Sequence, residues 1–103
     1  TDAYDQLSLL ISQHPDSAVV YAARADLEVE REQYDPAEYD FTQALRLQPQ
    51  QKDWLLARAQ VRIKMKHFDD ALDDLDRLVA LGTPRTALDS FYQQFPKKKK
   101  HRR

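Results

Sequence analysis

The chain has 103 residues, of which 42% are hydrophobic and 32% charged, with no cysteine and a formal net charge of −1. This composition excludes disulfides and thiolate metal sites, and the lack of an apolar run of about 18 residues predicts no transmembrane helix. The length predicts one domain. Because the chain opens on Thr1 and shows no signal-peptide pattern, we expect a processed or excised piece of a protein and favour an intracellular location, cytoplasmic or nuclear.

Apolar residues recur at spacings of three and four in six successive segments, which predicts an all-α protein with no strand. The predicted helices cover residues 2–13, 17–32, 36–47, 52–66, 70–81 and 84–95. Prolines and the single glycine stand near the predicted helix ends. At Asp35-Pro36 and at Thr83-Pro84 we expect an N-cap residue followed by proline at the first helical position.

Residues 18–51 repeat as residues 52–85, since the two stretches share seven identities when aligned at a spacing of 34 residues. The identical pairs are Ala23 and Ala57, Arg24 and Arg58, Ala25 and Ala59, Asp35 and Asp69, Ala37 and Ala71, Asp40 and Asp74, and Leu47 and Leu81. A fixed period of about 20 to 50 residues indicates stacked units, each of which buries its apolar face against its neighbours.

The period and these positions together resemble the tetratricopeptide repeat family. The residues that match its pattern are Tyr21, Ala25, Ala37, Phe41, Ala44 and Pro49 in the first unit, and Leu55, Ala59, Ala71 and Leu75 in the second. The departures include Glu32 and Lys66, where the turn usually has glycine, and Glu28 and Arg62, where an aromatic residue is usual. The resemblance implies a right-handed α-solenoid of antiparallel helical hairpins over residues 1–95. Its implied parts are a half-repeat 1–16, repeats 18–51 and 52–85, and a capping helix 84–95.

A further departure recurs with a partner of opposite charge. Arg24 and Arg58 stand where the family has an apolar residue, and Asp40 and Asp74 follow them by 16 residues on the second helix of each hairpin. We predict that Arg24–Asp40 and Arg58–Asp74 are ion pairs that fix the register of the two helices. The alternative is four solvated surface charges, each pair worth about 0–1 kcal/mol.

Catalysis, a cofactor and a metal site are not predicted, because no nucleophile–base pair, phosphate loop or metal motif is present in the sequence. The acidic cluster in residues 69–76 lacks the looped cage of six to eight oxygens that Ca²⁺ prefers, so we interpret it as favourable charge near a helix start. His14, His67 and His101 are scattered along the chain. We therefore predict that the protein is not an enzyme.

In the tetratricopeptide family, the first helix of each hairpin lines a concave groove that binds a partner's peptide or helix. The resemblance implies a groove of Val19, Ala22, Ala23, Asp26, Val29 and Glu30, followed by Asp53, Leu56, Ala57, Gln60, Ile63 and Lys64. The basic clamp by which chaperone-binding members hold carboxylates is absent, and Asp26 and Asp53 stand in its place. This apolar, mildly acidic surface suits a peptide with apolar anchors and a basic residue. We expect a protein–protein interaction module, a scaffold or adaptor, unless neighbouring repeats pack in this groove.

Two other functions stay open. Residues 1–96 carry a formal net charge of −7, whereas residues 96–103 form a basic tail that we expect to be disordered. The tail cations are Lys97, Lys98, Lys99, Lys100, Arg102 and Arg103. These cations could bind RNA, the ribosome, another polyanion or an anionic lipid surface. The tail could also be a nuclear-import signal, or it could contact the acidic body of the chain itself. The second alternative is self-association through Tyr4, Leu7 and Ile11 of the half-repeat, so we expect a monomer or a weak homodimer.

Overall fold

The computed structural model describes residues 2–97, and this part of the chain is all-α, as predicted. The helices are α1 (Ala3–Gln13), α2 (Ala18–Glu30), α3 (Tyr34–Leu47), α4 (Lys52–Lys64), α5 (Phe68–Ala80) and a short α6 (Asp89–Tyr92), the last preceded by a 3₁₀ turn (Arg85–Leu88). Between residues 2 and 97 no strand forms, and none of the helices has the length and apolar character needed to cross a membrane.

Each helix from α1 to α4 packs against the next helix in the chain. The most extensive contacts join α2 to α3 and α4 to α5, and smaller contacts join α3 to α4 and α1 to α2. The described part of the chain is consequently elongated, with principal extents of 57 × 27 × 22 Å. Two adjacent hairpins, α2–α3 and α4–α5, therefore lie side by side, and α1 covers one flank of the first.

Small residues lie where paired helices approach most closely. Ala25 and Ala37 in the first hairpin, and Ala59 and Ala71 in the second, are 0% exposed. A side chain of one carbon lets two helix backbones approach to the short end of the usual 8–10 Å. Larger residues fill the space around them in two core clusters, and Trp54 packs against both clusters.

The turns of the two hairpins and the turn that follows α5 share one hydrogen-bonding motif. Glu32 and Lys66 have φ of 58° and 63°, and Gly82 has φ of 109°. Each follows a helix whose last carbonyls accept two further backbone N–H groups, for example Glu32 N to Val29 O at 2.9 Å and Gln33 N to Glu28 O at 2.8 Å. This is the Schellman motif, in which the left-handed residue usually is glycine. Two non-glycine residues, Glu32 and Lys66, thus adopt a backbone conformation that favours glycine.

Two predicted N-cap residues are wrong. Helix α3 begins at Tyr34 after Gln33, so Pro36 is its third residue and Asp35 is not the N-cap. Proline is tolerated there because the N–H groups of a first helical turn have no partner within the helix. Thr83 does not cap a helix either, because Pro84 has extended dihedral angles and precedes the 3₁₀ turn.

The predicted helix over 84–95 is shorter and bent. Leu88 is 3% exposed and joins the core cluster of the second hairpin, and its φ of −107° and ψ of 8° separate the 3₁₀ turn from α6. After α6 the chain folds back so that the Phe95 ring lies 5.4 Å from the Phe68 ring. With this bend, both Leu88 and Phe95 pack at the core cluster of the second hairpin.

Candidate functional site

The two predicted ion pairs are confirmed, and both are bidentate. Arg24 donates from Nε and Nη2 to the two carboxylate oxygens of Asp40 at 2.8 and 2.9 Å. Arg58 donates in the same way to Asp74 at 3.0 and 2.6 Å. Both aspartates are almost fully buried. Paired, planar hydrogen bonds of this kind set orientation as well as charge, so each arginine fixes the register of its own hairpin.

Each arginine also contacts the helix that precedes its own hairpin. The remaining nitrogen of Arg24 lies 3.1 Å from Ser8 Oγ on α1, and that of Arg58 lies 3.1 Å from Thr42 Oγ1 on α3. These two hydrogen bonds were not predicted from the sequence, although Ser8 precedes Arg24 by the same 16 residues that separate Arg24 from Asp40. The network therefore links three successive helices and has a structural role.

The position that follows the arginine by four residues differs in charge between the hairpins. In the first hairpin Glu28 is 1% exposed and accepts a hydrogen bond from the Tyr4 hydroxyl at 2.8 Å. Burial, reinforced by the neighbouring Asp40 carboxylate, raises the pKa of Glu28 to about 7. In the second hairpin Arg62 donates to Glu38 at 2.7 Å and to Asp74 at 3.0 Å.

A cleft of about 390 Å³ lies between α2 and α4, and we call it the α2–α4 cleft. Its lining residues are Asp26, Val29 and Glu30 of α2, Tyr34 and Phe41 of α3, and Ala57, Gln60, Val61 and Lys64 of α4. Six of them are among the residues predicted for the groove, so the structure brings together side chains that are far apart in sequence. Tyr34, Phe41 and Val61 also line the cleft but were not predicted to do so.

The other predicted groove residues lie outside this cleft. Val19 and Asp53 are exposed, and Ala23 and Leu56 are half-buried. Ala22 and Ile63 are 4% and 8% exposed, so they belong to the core and have little surface to offer a partner. Both lie on the buried stripes of their helices, because residues three or four apart share one helix face.

The charges of the cleft are unevenly distributed. Asp26 and Glu30 lie one turn apart on α2, and within residues 2–97 neither carboxylate has a Lys, Arg or His nitrogen within 4.0 Å. Partial burial, together with the charge of Glu30, raises the pKa of Asp26. The positions that correspond to Asp26 and Glu30 on α4 are Gln60 and Lys64. The floor between the two walls is apolar.

One group of potential metal ligands lies at the second hairpin turn. Ligand atoms of Glu38, His67 and Asp70 lie within 4.8 Å of one another. However, Arg62 Nε is 2.7 Å from Glu38 Oε2, so a guanidinium already neutralises the carboxylate that would have to bind the metal. This group of three residues was not predicted from the sequence, and we interpret it as part of the ion-pair network.

The predicted tail site falls almost wholly outside the described residues. Lys97 is exposed, and residues 98–103 are not part of the described structure. Compared with known proteins, the chain matches no protein-family model and no curated protein sequence. Its function must therefore be inferred from its own residues.

Proposed function

We propose that this chain is a tetratricopeptide-like interaction module, which binds a peptide segment or helix of a partner protein in the α2–α4 cleft and carries out no catalysis. The observation that carries the proposal is the cleft itself. It has an apolar floor, polar walls and a volume of about 390 Å³, and equivalent helices of two repeated hairpins form its walls. Concave apolar surfaces with a few polar groups are the usual form of a binding site.

The tetratricopeptide-like interpretation is supported by features that recur at the repeat spacing. Both hairpins have a left-handed residue at the same turn position, Glu32 in the first and Lys66 in the second. Both also have a bidentate Arg–Asp pair and fully buried alanines at the helix crossing. In the proposed solenoid the first helices of successive hairpins form the concave face, and the cleft lies between two of them.

The floor explains how a partner would be held. Phe41 and Val61 are 1% and 2% exposed, so they form a rigid base, while Tyr34, Val29 and Ala57 keep part of their apolar surface accessible. An apolar side chain placed on this base removes surface from water at about 25 cal/mol per Å². A helix or an extended segment can supply such a side chain while its polar groups meet the cleft walls.

The proposal is tested with peptides selected from a random phage-displayed library on the full chain. Binding of the selected peptides is measured by fluorescence polarisation for the unmodified chain and for Ala57→Glu, which places a charge on the cleft floor. We expect affinity to fall at least about tenfold. The matched control is Ala80→Glu, the same change on the exposed end of α5, and circular dichroism verifies that both variants are folded. Equal binding by Ala57→Glu and the unmodified chain would rule out the cleft as the site.

A second candidate function is self-association through α1, and one comparison favours it. Leu10 is 39% exposed, whereas the equivalent residues Ala44 and Leu78 are 0% and 2% exposed, because each of them faces the first helix of its own hairpin. Leu9 is 58% exposed beside it. Of the residues predicted for this surface, Tyr4 instead faces α2 through its bond to Glu28.

Sedimentation velocity over a range of concentrations tests this second candidate. A dimer that forms as concentration rises, and that Leu10→Glu abolishes, would support it. The control is Tyr39→Glu, which changes another exposed large apolar residue on a different helix. A monomer at every concentration would exclude self-association.

A further inference from the structure

The two walls of the α2–α4 cleft are equivalent in position but opposite in character. The wall on α2 presents the carboxylates of Asp26 and Glu30, and the wall on α4 presents the amide of Gln60 and the ammonium of Lys64 at the corresponding positions. A symmetric repeat therefore forms an asymmetric cleft. A ligand that enters it meets negative charge on one side and hydrogen-bond donors on the other.

The acidic wall is unfavourable as it stands. Two like charges four residues apart lie on the same helix face and destabilise the helix. Asp26 and Glu30 have no ion-pair partner within the described part of the chain. The buried carboxylates of Asp40 and Asp74, by contrast, are closely paired with arginines. The acidic wall is thus complementary to a cation that the described residues do not supply.

The apolar surface beside these carboxylates restricts the form of that cation. Val29 lies between Asp26 and Glu30 in the sequence, and Tyr34 follows at the start of α3, so the charged wall borders directly on the apolar floor. Lysine and arginine side chains combine an aliphatic stem with a charged end and cover apolar surface in this way. A hydrated inorganic cation lacks the stem.

We infer that the α2–α4 cleft selects a partner peptide that carries a Lys or Arg side chain, with its stem on Val29 and Tyr34 and its charged end between Asp26 and Glu30. Gln60 and Lys64 on the opposite wall then donate to carbonyl oxygens of the same peptide. This inference rests on the proposed function, and it adds the chemical class and the orientation of the partner. The orientation follows because only one wall is acidic.

The experiment uses the peptides selected on the full chain. We expect Lys or Arg next to an apolar residue to be enriched among them. The double variant Asp26→Asn/Glu30→Gln retains size and shape but removes both charges, and we expect it to bind the basic peptides at least about tenfold more weakly. We also expect binding to the unmodified chain to weaken as salt concentration rises.

The matched control is Asp69→Asn/Asp73→Asn, which neutralises another pair of exposed acids four residues apart, on α5. It should leave peptide binding unchanged. Thermal unfolding should show both double variants to be folded, because each replaces surface acids by isosteric amides.

The possible outcomes separate this inference from the function on which it rests. If Ala57→Glu abolishes binding but the selected peptides contain no basic residue, or if Asp26→Asn/Glu30→Gln binds as tightly as the unmodified chain, the cleft is the site and the basic-peptide inference is overturned. If Ala57→Glu also binds normally, both fail. If removal of residues 97–103 strengthens binding of the selected peptides, and a peptide of that tail competes with them, the occupant is the chain's own tail and the inference of a partner peptide is overturned.

Discussion

The two hairpins have the same left-handed turn position and the same Arg–Asp pair, yet their buried charges are arranged differently. In α2–α3 a single arginine, Arg24, faces the two carboxylates of Glu28 and Asp40, which leaves Glu28 Oε1 buried without a partner among the described residues. In α4–α5 two arginines converge on Asp74. The repeated geometry thus places one arginine and one aspartate at the same positions in both hairpins. The residue four positions after the arginine, Glu28 in one hairpin and Arg62 in the other, decides whether the buried charges balance.

The largest expected difference between the hairpins comes from removing their buried aspartates. Asp74→Ala leaves Arg58 and Arg62 without their shared acceptor, and we expect it to lower the free energy of unfolding by about 3–5 kcal/mol. Asp40→Ala should cost less, because it removes a partner from Arg24 but also a negative neighbour from Glu28. Urea unfolding measures both values.

Asp73→Ala is the control for this pair, since it removes an exposed carboxylate from the same helix as Asp74. Its effect should stay within about 0.5 kcal/mol. An Asp40→Ala variant as unstable as Asp74→Ala would show that the imbalance in the first hairpin has no energetic consequence.

The second prediction concerns pH. In the folded chain the pKa of Glu28 is raised from 4.5 to about 7. Between these values the folded state binds a proton that the unfolded state has released, so the free energy of unfolding decreases as pH rises through this window. The loss amounts to on the order of 3 kcal/mol. Urea unfolding at a series of pH values measures it.

Glu28→Gln should flatten the pH dependence of the first hairpin, because an amide does not titrate in this range. The control Glu30→Gln changes an exposed glutamate on the same helix and should retain the decrease. A Glu28→Gln variant with the same slope as the unmodified chain would contradict the assignment of this pH dependence to Glu28.

The smallest expected changes in the free energy of unfolding come from the turns, where both hairpins have a residue with positive φ. Lys66→Gly should raise the free energy of unfolding by about 0.5–1 kcal/mol, because a side chain at φ of 63° is strained and glycine is not. Gly82→Ala should lower it, since φ of 109° is unfavourable for any residue with a Cβ although the space around it is open. Thermal unfolding compares the two variants, and a destabilised Lys66→Gly would contradict the strain at this turn.

The features that repeat along the chain were predictable from the sequence. The bidentate pairs Arg24–Asp40 and Arg58–Asp74 could be predicted because each depends on one arginine and one aspartate at a fixed spacing within a helical hairpin. The predicted helix boundaries were less accurate, as at Tyr34 and Leu88. A helix ends where packing against the core requires the backbone to change direction. Local periodicity does not contain that information.

The residues of the candidate site were likewise only partly predictable from the sequence. Asp26 and Glu30 could be assigned to the groove from their repeat positions, but the depth of the cleft depends on Tyr34, Phe41 and Val61, which reach it from other helix faces. The exclusion of Ala22 and Ile63 from the surface likewise depends on neighbouring helices.

The amino-acid order alone was enough to establish an all-α chain, its period of 34 residues and the partners of its two repeated arginines. These properties follow from short-range helix geometry and from comparing one copy of the repeat with the other. The unbalanced environment of Glu28 and the asymmetry of the cleft became apparent from the folded chain. Burial and electrostatic balance depend on side chains from three helices at once, and their distances are set by packing.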